Sequence, residues 1–458
     1  MESAQPLPKH MIQADKRLSH SLLWEIQRRY FLQAGISAWQ EDVVPHQISC
    51  NPFMARAYAD VVFGYLRDCA AAGLLDRKRP LYIIELGAGS GRLTYHFLHH
   101  FYERFLESPF AGLPVKFILT DFVPAILEFW QNHPQLRPWV EEDLLDFALF
   151  DVAQMAPLTL LHSGKTLTPD QVSNPLILLA NYFFDSIPQD SFVIEEGELQ
   201  ENLLTLYSSQ PEPDLNDPTI WERLVLAYEP LPLQTPYEVD AYNQILAGYE
   251  AELPDTVLSF PKVGLDCIRF WEQFGRVLLL TADRGYALFE SLAAQDDPLP
   301  NLHGSFSMMV NYHAISEYVW LQDGEVCQAP HYQDNMQVLA YLIGEIPKGG
   351  LETFKAFDTA VVNGGPDDFF AIKQVVEQHS ETMTLPQLLS FLRWSGYDAD
   401  VFRDCYEALV KQTAAADAVW HADVAAVVEK VREQYLPLHT EDEFEAQLMS
   451  FLQTLDTD

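Results

Sequence analysis

From residue 81 onward the apolar positions fall into short continuous runs separated by amphipathic stretches. LYIIEL (81–86) is a run fit for a strand buried on both faces, and RLTYHFLHHFYERFLES (92–108) repeats its apolar residues at helical spacing. VKFILTDF (115–122) predicts a second strand and VPAILEFWQNHP (123–134) a second helix. FALFDV (147–152) predicts a third strand, and PLILLANYFFDSIP (175–188) contains a fourth. Apolar strands alternating with helices predict an α/β chain whose parallel sheet carries helices on both faces. DSFVIEEGELQENLLTLYS (190–208) predicts a β-hairpin turning at Glu196-Gly197.

The flanks differ. Residues 1–80 are expected to be a mostly helical segment that caps the fold. SHSLLWEIQRRYFLQAG (19–35) has helical spacing with a glycine stop, and Asn51-Pro52 opens an amphipathic helix. Residues 209–255, rich in Pro, Asp, Glu and Tyr, are expected to be an insertion, part loop and part helix. The alternation then resumes: a helix in LDCIRFWEQF (265–274), a buried strand in GRVLLLTADRGY (275–286), a strand and helix in FSMMVNYHAISEYV (306–319), and a last strand in MQVLAYLIG (336–344). The expected α/β domain is thus 81–350, interrupted by the insertion at about 209–255, and 351–458 a helical C-terminal domain.

Charge narrows the partners. The 458 residues include 66 acidic and 28 basic ones, a net charge of −38. Such a surface repels nucleic acid phosphates and anionic lipid; it suits a basic partner or serves solubility. The five cysteines are scattered with no C-x-x-C pair, so neither a disulfide framework nor a metal site is expected. His99 and His100 are expected to be surface or packing residues. The N-terminal stretch lacks the apolar core of a signal peptide and no run is long enough to insert in a membrane, so the expected compartment is cytoplasmic.

The chemistry concentrates in IIELGAGSGRL (83–93), with glycines at 87, 89 and 91 directly after a strand. In a parallel sheet, ligands bind beyond the carboxyl ends of the strands, beside the first one. Gly87 permits a tight turn, Gly89 permits backbone to approach a ligand, and Gly91 permits the next helix to pack closely. A dinucleotide loop reads G-x-G-x-x-G and cradles a pyrophosphate. Here the third glycine of that pattern is replaced by Arg92, and Glu85 stands before the loop. A pyrophosphate disfavours that carboxylate, whereas a cationic ligand favours it, so a nicotinamide oxidoreductase is disfavoured. S-adenosylmethionine carries a sulfonium and an amino group, and E-x-G-x-G-x-G resembles the first motif of class I S-adenosylmethionine-dependent methyltransferases. Asp121, ending the second strand, is placed for the ribose hydroxyls. Asp151 and Val152, ending the third, are placed for the adenine, with Asp143 and Asp146 as rival acids. Asn181, at the tip of the fourth strand, faces the methyl-donor pocket, and Asp185 is placed to orient an amine. His313 is either within reach of the pocket or a core histidine; the same choice holds for His303.

ELGAGSGRL, LLANYFFDSIPQDSFVIEEGEL, LLLTADRGY and HGSFSMMVNYHAISEYV together resemble the MidA-like branch of class I methyltransferases, over roughly residues 35–345. The resemblance implies a Rossmann-like fold with a mostly parallel seven-stranded sheet, a helical N-terminal segment and an all-α C-terminal domain. It implies S-adenosyl-L-methionine as cofactor, held by Glu85, Gly87, Gly89, Gly91, Asp121 and Asp151. It implies an acceptor side built from Asn181, Asp185 and Pro188, with Asp283, Tyr286 and His313. Mitochondrial members of the branch are linked to complex I assembly through methylation of a protein arginine, so a protein's basic side chain is the implied acceptor. One departure bears on that. The branch typically has a glutamate where this chain has Tyr182, and a tyrosine cannot pair bidentately with a guanidinium. The rival expectation is a methyltransferase-like assembly protein that holds a partner through its C-terminal helices without methylating it.

Overall fold

The computed structural model describes residues 10–40, 48–212, 214–217, 219–233, 236–330, 336–344, 350–439 and 442–455. Parts of the expected N-terminal segment, 1–9 and 41–47, lie outside them. Seven strands form the main sheet: β1 (Leu81–Glu85), β2 (Val115–Asp121), β3 (Leu145–Leu149), β4 (Leu176–Asn181), β5 (Val277–Asp283), β6 (Glu325–Gln328) and β7 (Gln337–Ile343). Their spatial order is 3-2-1-4-5-7-6, parallel except for β7, which runs antiparallel to both β5 and β6. This is the mostly parallel seven-stranded sheet that the sequence implied. The strand order reverses between β1 and β4, which opens a crevice at their carboxyl ends.

The continuous apolar runs are explained by two buried faces. In β1, Leu81 and Ile83 join one core cluster, while Tyr82 and Ile84 join the other. β4 divides in the same way, with Ile177 and Leu179 on one side and Leu176 and Leu178 on the other. Each such side chain contributes about 1.5–3 kcal/mol by leaving water. Helix α1 (Leu22–Ala34) is capped by Ser21, whose hydroxyl accepts from the Leu23 amide. Helix α2 (Pro52–Ala71) is capped by Asn51, which accepts from the Met54 amide. Helix α3 (Arg92–Leu106) follows the glycine turn.

Two strands at the margins of the main sheet were not expected. The N-terminal segment is mostly helical, but its first described element, His10–Lys16, is a strand. Residues 209–255 also hold a strand, Leu224–Pro232, besides a helix, Asp240–Glu252. Both strands pair antiparallel with the long hairpin strand Glu198–Ser208, in a second sheet completed by Asp190–Glu195 and Thr256–Phe260. Neither strand alternates cleanly in burial, so neither carries the period-two signal. Pro230 and Pro232 argue against a central strand, and the strand lies at an edge, where a missing N–H is tolerated.

The C-terminal helices build a separate apolar cluster with Leu388, Phe402 and Val428 at its centre. It meets the α/β core where Phe53 of α2 stacks on Phe369, ring centroids 4.4 Å apart. The end of the helix Ala418–Gln434 and the chain just after it also lie along α3: Tyr95 donates to the Glu433 carbonyl at 2.8 Å, and Arg92 Nε to the Leu436 carbonyl at 3.3 Å. Among the described residues no helix is long and apolar enough to cross a membrane.

Candidate active site

A cavity of about 1050 Å³ opens at the carboxyl ends of β1 to β5. At one end lies the glycine turn. Gly87, Gly89 and Gly91 all have positive φ, at 62°, 51° and 78°. A Cβ on Gly91 would stand 3.0 Å from both Leu119 and Trp130, so this glycine permits α3 to pack as expected. A Cβ on Gly89 would stand 2.6 Å from the Trp39 ring, and within the chain it is this indole that approaches the turn. Gly87 faces Phe183 in the same way, at 3.1 Å.

Glu85, Asp121, Asp151, Val152, Asn181 and Asp185 all line the cavity. Glu85 is buried, and its Oε2 accepts from both the amide and the hydroxyl of Thr94. Burial pushes its carboxyl up to about 8, against those hydrogen bonds. Asp121 accepts from the Gly89 amide at 3.2 Å and the Val123 amide at 3.0 Å, which ties β2 to the turn; burial lifts its carboxyl to about 6. Each of these two carboxylates retains acceptor capacity for a further donor.

Among the three acids that rivalled one another, only Asp151 reaches the cavity. Asp143 pairs with Lys116 on the outside, and Asp146 is consumed by the amides of Phe147, His162 and Ser163. Asp151 is itself engaged: both Arg28 guanidinium nitrogens donate to its carboxylate, Nη1 at 3.0 Å, and the Ala153 amide adds a third bond. Arg28 also lies over the Phe122 ring, 4.6 Å from its centroid. The expected carboxylate for an adenine amino group therefore latches α1 across the cavity instead. Phe31 of α1 stacks on Trp39 at 5.7 Å, extending the same cover to Gly89.

The other end is built from β4, β5 and a hairpin. Asn181 accepts from the Tyr58 hydroxyl at 2.7 Å and donates to the Ser49 carbonyl at 2.8 Å, which fixes its amide. Tyr182 follows with φ of 50°, a left-handed backbone that costs about 1–3 kcal/mol in a bulky residue. It is held there by its amide, which donates to the Ala282 carbonyl. Asp185 accepts from the Ser186 hydroxyl at 2.8 Å, and burial raises its carboxyl to about 6. Asp283 sits behind it, accepting from the Phe184 amide and the Tyr312 hydroxyl, with Oδ1 unpartnered. Burial and the charge of Asp185 hold Asp283 well above the carboxylate range. Pro188 lines the cavity; Tyr286 does not.

His313 is not brought to the cavity. Its Nδ1 meets the Tyr249 hydroxyl at 3.0 Å, and its Nε2 lies 3.6 Å from Glu317, on a helix (Tyr312–Leu321) packed against the helix Asp240–Glu252 and against β6 and β7. The core alternative thus describes it. His303 does line the cavity, with its Nδ1 buried and unpartnered.

No family model and no curated protein matches the chain. Solved structures resemble it distantly. An uncharacterized superfamily protein from Burkholderia thailandensis is 13% identical, with 75% of this chain and 90% of that one covered, at a TM-score of 0.44. A second member of that superfamily, from the same organism and bound to S-adenosyl-homocysteine, is 12% identical over 72% and 94%, at 0.41. The magnesium protoporphyrin IX methyltransferase of Synechocystis, with the same molecule bound, is 10% identical over 70% and 100%, at 0.28.

Among the lining residues that lay outside the sequence expectations are Arg28, Trp39, Arg284 and Phe370. Arg284 directly follows Asp283 in TADRGY, so its place at a strand end was legible. Arg28, Trp39 and Phe370 come from segments flanking the α/β core, and no local pattern points them at the cavity.

Proposed function

We propose that this protein is an S-adenosylmethionine-dependent methyltransferase. The observation that carries the reading is the Glu85 carboxyl, buried at the foot of a left-handed glycine turn and open to the cavity beside Asp121. A cationic ligand relieves the charge that burial penalises there, whereas a pyrophosphate adds to it. When bound, S-adenosylmethionine supplies a methyl group already activated by its sulfonium.

The chain's residues then divide the work. Gly87 and Gly89 present bare backbone, and Asp121 accepts from the ribose hydroxyls. Phe122 and Val152 flank the adenine, under the α1 cover latched by Arg28 and Asp151. Asn181, locked by Tyr58 and Ser49, shapes the passage between donor and acceptor. Asp185 faces the acceptor nitrogen and takes up its proton at a carboxylate oxygen. Much of the rate comes from alignment, because the donor needs no further activation.

The acceptor we propose is a basic nitrogen of a protein side chain, in keeping with the Asp185 carboxyl at the acceptor end. Calorimetric titration with S-adenosyl-homocysteine, with NADH as control, tests the cofactor. Micromolar binding of the first alone is expected; binding of NADH alone would sink the reading. The rival, a partner-binding protein without methyl transfer, is favoured by binding of neither ligand.

A further inference from the structure

Among the described residues, three basic side chains other than histidine line the cavity, in a chain with only 28 lysines and arginines against 66 acids. Arg28 is spent on Asp151, and Lys262 on Asp266 at 2.5 Å. Arg284 is different: its guanidinium makes no hydrogen bond or ion pair with any described residue. It lies exposed at the acceptor end, close enough to Asp185 and His303 to influence the charge of both. Ser307 and the unpartnered His303 Nδ1 share that end of the wall.

An acceptor that fills this end removes water from Arg284. A guanidinium that loses water without gaining an anion is strongly penalised. An acceptor whose only charge is positive would meet Arg284 as well as Asp185, and the first contact is repulsive. A carboxylate resolves both problems, because it matches the planar guanidinium fork with two parallel hydrogen bonds.

We propose that the acceptor carries a basic nitrogen and a carboxylate close together, with Arg284 holding the carboxylate and Asp185 facing the nitrogen. This rests on the methyltransferase reading and narrows its substrate class. The same chemistry is offered by a free basic amino acid and by a peptide in which an acidic residue neighbours a basic one.

The test uses the full chain saturated with S-adenosyl-homocysteine. L-arginine and L-lysine are titrated against their carboxamides, and the peptide acetyl-Arg-Asp-amide against acetyl-Arg-Asn-amide. In at least one pair the carboxylate-bearing member is expected to bind about ten-fold tighter or more, the scale of one charge-assisted hydrogen bond. Preference in the amino acid pair identifies a free acceptor, and preference in the peptide pair alone identifies a protein one. Arg284→Met, with unfolding temperature matched to the wild type, is expected to abolish the preference. Asp185→Asn is expected to weaken both members of a pair and keep the preference. Equal binding within every pair, no binding by any probe, or a preference that survives in Arg284→Met overturns the proposal. Failure of the wild type to bind S-adenosyl-homocysteine is a separate result, and it overturns the cofactor reading instead.

Discussion

The two ends of the cavity are made in different ways. The cofactor end is largely backbone: one contiguous stretch, Glu85 to Arg92, turns through three left-handed glycines, and the tips of β2 and β3 stand beside it. The acceptor end is made of side chains from separate segments. Asp185 follows β4, Arg284 follows β5, His303 and Ser307 come from a hairpin, and Phe370 reaches in from the C-terminal helices. Backbone geometry is written in local sequence, because only glycine adopts such turns freely. A constellation of side chains is set by which segments the fold brings together.

The largest test of this contrast strikes the backbone. Gly89→Arg places a side chain where a Cβ alone already meets Trp39 at 2.6 Å, on a backbone with φ of 51°. Complete loss of S-adenosyl-homocysteine binding is expected by calorimetry, with the far-UV circular dichroism retained. Retained binding would move the cofactor away from the turn.

Asp121→Ala removes a single carboxylate from the same end. A loss of about 1–3 kcal/mol in S-adenosyl-homocysteine affinity is expected, the scale for hydrogen bonds to a charged group. Asp185→Asn is the paired experiment: cofactor affinity within about 0.5 kcal/mol of wild type, since effects at separate sites add rather than couple, but impaired methyl transfer. Equal losses in both variants would erase the distinction between the two ends.

A third test uses pH. Burial raises Glu85 to about 8, so below that pH the free protein holds the proton there. A cationic ligand favours the carboxylate, so its binding releases that proton. Affinity for S-adenosylmethionine should therefore climb with pH, by at most about ten-fold per unit, and level off above the Glu85 value. Glu85→Gln should flatten this dependence. A wild-type affinity that falls as pH rises toward 8 would contradict it.

The smallest effect is expected at His313. His313→Gln should leave cofactor affinity and turnover near wild type and lower stability by about 1 kcal/mol through its lost contact with Tyr249. A large loss of turnover would return this histidine to the catalytic end.

The two histidines show how far the sequence reached. His303 ends one short strand and His313 follows another, and nothing local separates them. His303 ends a hairpin strand that folds over the cavity, while His313 opens a helix that buries its ring against Tyr249 and Phe289. The acids at the strand tips were legible because an alternating apolar pattern fixes where each strand stops. Asp151 was legible as a position and not as a function, since its partner Arg28 lies 123 residues away.

The sequence by itself determined the α/β alternation, every strand of the main sheet but the short Glu325–Gln328, the glycine turn and the carboxylates that surround it. These depend on local conformational preference and on apolar periodicity, which act over a few residues. Only the tertiary structure decided that two irregular strands join a second sheet, that α1 closes over the cavity through Arg28, and that the Arg284 guanidinium pairs with none of the described residues. Each of those outcomes rests on contacts between segments far apart in the chain, where packing and charge pairing, rather than local pattern, select the arrangement.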